Sequence, residues 1–126
     1  YRQAELDAQY AADIERKKLE RLTAREQLAA GASPFRVYRD KIVAYHSTAL
    51  RLQAVVLNLY NSGNWAKRQP VHLDNLIANA DEEHVGILID LLRSYARHGE
   101  NDADFLALGR ELAEANAPRQ RKGARA

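Results

Sequence analysis

The stretch FRVYRDKIVAYHSTALRLQAVVLNLYNSGNW, residues 35–65, decides the fold. Within it Phe35, Tyr38, Ile42, Tyr45, Ala49, Leu52, Val56 and Leu59 follow one another at alternating intervals of three and four. On a helix turning about every 3.6 residues, that spacing gathers all of them on one face. Val43, Leu50 and Leu57 add a second apolar row beside the first, so the stripe is wide enough to be covered from more than one side. Ser33 is a good N-cap, and Pro34 suits the first helical position, where its missing N–H costs no hydrogen bond. The reading is one continuous helix over about 34–60, the central rod of a bundle. A coiled coil of two copies is the competing arrangement, but only this helix keeps the rhythm and its flanks carry no regular charge code.

Before the rod, residues from about Ala4 to Ala30 form a long helix candidate with no internal proline or glycine, halted by Gly31 and the Ser33-Pro34 pair. Its apolar residues Leu6, Tyr10, Ile14, Leu19, Leu22 and Ala29 make a broken stripe, and charge crowds between Glu15 and Glu26. This helix, within 1–31, is expected to be partly exposed, either as a solvated outer helix or as an arm that packs on another chain, including a second copy in a homodimer.

After the rod, YNSGNWAKRQP is rich in turn formers, with Asn61 and Gly63 suited to left-handed backbone and Pro70 closing the loop. A short helix follows with Leu73, Leu76 and Ile77 on one side. Asn79 and Glu82 resemble a capping box, so a further helix is expected from about Ala80 through Val85, Leu88, Leu91, Leu92 and Tyr95 to Gly99. The segment from Ala103 to Ala115 repeats the pattern with Phe105, Leu108 and Leu112, and Asn116 and Pro118 end it. No stretch alternates polar and apolar residues between turn signals, and no fixed-period repeat is present. The chain therefore reads as all-α, a single domain of about five helices over 1–117, followed by a basic flexible tail over 118–126.

With 126 residues the chain has room for one domain and a modest core. It contains no cysteine, which excludes disulfides and thiolate metal sites and fits a reducing cytoplasm. No apolar run reaches the roughly 18 residues of a membrane span, and no secretory signal opens the chain. The sequence starts at Tyr1 and has no methionine, so an initiator or a longer N-terminal segment is expected to have preceded it.

The net charge of +2 hides a segregation. Residues 34–70 carry Arg36, Arg39, Lys41, Arg51, Lys67 and Arg68 against Asp40 alone, whereas 71–116 are strongly acidic and hold only Arg93, Arg97 and Arg110 as bases. Either the basic stretch lies beside the acidic helices and the charges pair, or two faces of opposite sign remain to steer a partner. Nucleic acid is the partner suggested by the tail residues Arg119, Arg121, Lys122 and Arg125, which would bind phosphates without reading sequence. No recognition-helix signature accompanies them.

Catalytic chemistry finds little footing. His46, His72, His84 and His98 show no one-turn pair, and no HExxH is present. DEEH at 81–84 gathers donors within one turn, but consecutive residues diverge around a helix, and acids suit a first turn. Ser62 has no local base, and no glycine-rich phosphate loop exists. The expectation is a protein that is not an enzyme and uses no cofactor.

Trp65, the only tryptophan, poses the sharpest question. It either folds back to plug the end of the core, or joins Tyr60, Lys67 and Arg68 in an exposed patch with the aromatic and arginine composition of an interface hot spot. The leading functional expectation uses that patch and the first helix to capture a protein partner.

From Leu50 to Leu112 the order LYNSGNW, LDNLIANADEEH, YARHGEN and DADFLALGREL resembles small helical proteins encoded on bacterial mobile elements: plasmids, phages and integrated elements. The resemblance implies a bacterial, cytoplasmic accessory protein that binds or inhibits a host protein, and it carries over no functional residue.

Overall fold

The computed structural model describes residues 2–117, and every regular element among them is helical. The chain divides into two compact units at Ala32/Ser33. The first unit is a single helix, α1 (Arg2–Ala29), with no buried residue. Its chain turns at Gly31, whose φ of +98° lies in the left-handed region that favours glycine.

The second unit contains α2 (Pro34–Val37), α3 (Arg39–Ile42), α4 (Ser47–Trp65), α5 (Leu73–Asn79), α6 (Glu82–His98), a 3₁₀ turn (Gly99–Asn101) and α7 (Ala103–Asn116). The continuous helix expected over 34–60 is broken into three pieces. Tyr38 and Val43 leave helical geometry at ψ of 10° and 3°, and His46 is extended at ψ of 163°, where its Nδ1 accepts from the Ala49 N–H at 3.1 Å and caps α4.

The break is held from inside by Gln53, a buried polar residue in a row of apolar neighbours. Its amide donates to the carbonyls of Ile42 (2.9 Å) and Ala44 (3.2 Å), which lose helical partners at the break and would otherwise be costly to bury. Bending the chain lets α2 pack on α6 and α7 while α3 packs on α4. Phe35 and Ile42 thereby reach the same core as Leu52 and Val56, whereas Tyr45, an expected member of the stripe, is left 93% exposed.

The core of this unit joins Phe35, Ile42, Leu52, Val56, Leu57, Trp65, Leu76, Ile87, Leu91, Phe105, Leu108 and Leu112, among others. α4 lies centrally, against α3, α5, α6 and α7. At its crossing with α7, Gly109 sits so close to Tyr60 that a methyl group there would lie 2.5 Å from the ring's Cγ and 3.0 Å from Cβ. Only a residue without a side chain permits this approach. Two N-caps are tied together across the unit: the Ser33 hydroxyl accepts from the Phe35 N–H (3.2 Å) and donates to Asp102 (2.6 Å), whose other oxygen caps α7 through Asp104 N–H (2.9 Å). α6 begins two residues later than expected from Asn79, at the Asp81 cap, and ends as expected at Gly99, where φ is +51°.

Of the two charge arrangements left open, pairing is seen for three of the basic groups on this unit. Arg36 meets Asp104 (3.7 Å), Arg39 clasps Glu111 through two nitrogens, and Lys41 meets Glu83 (3.5 Å). All three pairs are partly solvated, so each adds little stability, but together they neutralise half of the basic groups in 34–70.

Candidate functional site

Of the two placements open to Trp65, the structure shows the one in the core. The helix does not stop at Tyr60: α4 continues to Trp65 through a single non-helical residue, Asn61 (φ −159°, ψ 84°), whose side chain accepts from the Asn64 N–H at 3.3 Å and restarts the last turn. Asn61 is extended rather than left-handed, and Gly63 has no positive φ. The extra turn carries the Trp65 ring into the core, where it is 4% exposed. Arg68 lies over the ring at 4.7 Å, Lys67 is exposed, and Tyr60 packs against Phe105 and Gly109. Trp65 is thus a core residue and offers no surface to a partner, because burying an indole removes more apolar area from water than any other choice at this end of the unit. The basic tail residues Arg119, Arg121, Lys122 and Arg125 lie outside the described residues.

What the second unit does present is a groove beside α4. One wall is Ser47, Leu50, Arg51 and Ala54 from the first turns of that helix; the other is the connection Gln69–His72, with Asn75 and Leu76 of α5 closing the base. Its volume is about 360 Å³ and its lining is mainly apolar. The connecting segment is fixed by a relay of side-chain amides. Asn58 donates to the Gln69 carbonyl (2.8 Å), the Gln69 amide donates to Asn116 (2.7 Å), and Asn116 in turn donates to the Leu112 carbonyl (2.8 Å). The groove is therefore shaped before anything enters it.

Arg51 stands out on its wall. Arg36, Arg39 and Lys41 face acids, but Arg51 is half-buried and makes no hydrogen bond or ion pair among the described residues. The sequence held one clue to this site: Leu50 and Arg51 on the outer side of α4, beside the Pro70-Val71 turn. Their proximity depends on the loop folding back, which no local pattern encodes.

A second cluster joins two helix N-termini. The His46 and His84 rings meet edge to face at 5.3 Å. The Asp81 carboxylate accepts from the His84 backbone N–H (2.8 Å) and contacts its Nδ1 (2.7 Å), while His84 Nε2 is buried without a partner. Donor atoms of Asp81, Glu83 and His84 come within 4.8 Å of one another. Asp81 is engaged with His84 and Glu83 with Lys41, so both carboxylates belong to a capping and ion-pair arrangement.

The hydrogen bond from the His84 backbone, followed by that from its ring, holds the Asp81 carboxyl below the usual carboxylate range. A depressed acid contributes stability above its unfolded value of about 3.9 and loses it as pH falls through the lower folded value. Asp81→Ala is therefore expected to cost about 1 kcal/mol at neutral pH, the usual worth of an N-cap. The gap from wild type should close on acidification below about pH 4, as measured by urea unfolding across pH; a gap unchanged down to the acid limit would contradict the cap's ionic character.

Taken together, the fold defines a helical protein with a long helix that buries none of its residues and an apolar groove carrying a guanidinium that has no acidic partner among the described residues. No family model, curated protein or solved structure matches the chain. No helix among the described residues is long and apolar enough to cross a membrane.

Proposed function

We propose that this chain is a non-catalytic helical protein-binding module whose docking element is α1. The observation that carries the reading is a helix of 28 residues that buries nothing while holding Leu6, Tyr10, Ile14, Leu19 and Leu22 in solvent. Isolated helices are marginal in water even when rich in good helix formers, and a helix keeps an apolar stripe to pack it against something. Leu6, Tyr10 and Ile14 recur every fourth residue along one face, with Tyr10 69% exposed. Leu19 and Leu22 fall roughly 150° further round at about 100° per residue. Two offset faces suit a partner that embraces the helix better than a straight two-stranded seam, which needs one unbroken row. Burying each of these side chains contributes about 1.5–3 kcal/mol before the cost of ordering is subtracted.

The partner class is a protein, and the sequence resemblance to proteins of bacterial mobile elements points to one of the host's. Self-association through α1 is the narrower form of the same reading. Nucleic-acid binding by the tail is the second reading, and the pairing of Arg36, Arg39 and Lys41 with acids withdraws half of the basic groups in 34–70 from a phosphate track.

The double substitution Tyr10→Glu with Ile14→Glu tests the proposal. Stoichiometric capture of a protein from native-host extract should be lost, and any dimer seen by sedimentation should dissociate. Unfolding of the second unit, followed by Trp65 fluorescence, should stay within about 0.5 kcal/mol because no buried residue has changed. Capture that survives the double substitution would remove α1 from the interface.

A further inference from the structure

We propose that the groove beside α4 is a binding site for a small amphipathic carboxylate, a molecule with one anionic head and an unbranched apolar body. Its volume of about 360 Å³ falls in the range of small-molecule sites, and its lining is mainly apolar with few polar groups. Room for on the order of ten non-hydrogen atoms suits a medium-chain acid and is too small for a nucleotide.

The head group follows from Arg51. A guanidinium drawn half out of water at the edge of an apolar groove loses hydration, and that loss is normally offset by a carboxylate or another acceptor. Here it has none among the described residues, although the neighbouring bases of the same stretch found Asp104, Glu111 and Glu83. The planar fork of arginine matches a carboxylate with two parallel N–H donors, and a single guanidinium balances a single charge. Asp74, the acid nearest in sequence to the α5 side of the groove, is not part of its lining. The other uncompensated bases of 34–70, Lys67 and Arg68, directly precede the wall residues Gln69 and Pro70, so residual positive charge gathers at this edge of the unit.

The tail of the ligand follows from the walls. Leu50, Ala54, Val71 and Leu76 present aliphatic surface, with His72 the one ring in the lining, which suits a flexible alkyl chain. The relay from Asn58 through Gln69 to Asn116 holds the second wall in place, so little ordering cost opposes binding.

Octanoate is the probe. Titrated into the full chain and followed by amide chemical shifts, it should give saturable changes centred on Leu50, Ala54, Val71 and Asn75. Octylamine, with the same tail and the opposite charge, should bind at least about tenfold more weakly, as should octanoate to Arg51→Gln, in line with the worth of a hydrogen bond to a charged group. Val71→Trp, which fills the groove from an exposed wall position, should abolish binding in a protein that still unfolds cooperatively. The proposal is overturned if octanoate gives no saturable change, if the changes map elsewhere, if octylamine binds equally well, or if Arg51→Gln binds octanoate as wild type does.

Discussion

Replacing Phe105 by alanine is expected to destabilise the second unit by about 3–5 kcal/mol. The ring is fully buried and is the hub of an aromatic cluster that gathers three other helices onto α7. Phe35 of α2 meets it edge-on at 4.8 Å, Tyr95 of α6 at 5.2 Å and Tyr60 of α4 at 6.3 Å. Truncation removes the transfer free energy of the ring, leaves a cavity that packed neighbours fill only in part, and discards edge-to-face contacts worth about 0.5–1.5 kcal/mol a pair. Natural domains are stable by only about 5–15 kcal/mol in all, so this one change should bring the unit near its unfolding threshold. Phe105→Leu, which keeps most of the volume, should cost roughly half as much. Urea unfolding read by Trp65 fluorescence measures both, because the single tryptophan reports on this unit. A loss under about 1 kcal/mol for the alanine variant would mean that the hub does not organise the core.

The position of Phe105 was legible because its signals are local: Asp102 as N-cap, Phe105, Leu108 and Leu112 at helical spacing, and Gly99 ending the helix before. The all-α class was legible for the same reason. The break between residues 38 and 46 was not, since alternating steps of three and four serve a single rod and three short pieces converging on one core equally well. Gln53 was the overlooked clue, a polar residue in a buried row that makes sense only if it bonds freed carbonyls. His46 hid its role by not being among the usual cap residues. Asn79 looked like a cap, yet its amide bonds back to the Asn75 carbonyl at 2.9 Å and leaves the start of α6 to Asp81. The groove was the least legible feature. It depends on Asn58, Gln69 and Asn116 meeting, three residues with no local relation.

Trp65→Ala is expected to cost about 3–5 kcal/mol, whereas Arg68→Ala, which removes the cation stacked on the same ring, should cost no more than about 1 kcal/mol. The contrast follows from position: the indole is 4% exposed within the core, while the guanidinium lies on its outer side. A surface anchor would behave in the opposite way, losing binding with stability intact. Loss of partner capture in Trp65→Ala would therefore report unfolding rather than a broken contact, and substitutions in α1, which buries no residue, are the cleaner probe. Because the substitution removes the fluorophore, unfolding must be followed by far-ultraviolet circular dichroism. If Trp65→Ala unfolds within about 0.5 kcal/mol of wild type, the ring lies outside the core and the patch of Tyr60, Trp65, Lys67 and Arg68 becomes the docking surface again. A large loss makes Trp65 a core residue in solution as well and leaves α1, which buries no residue, as the element whose substitution tests capture.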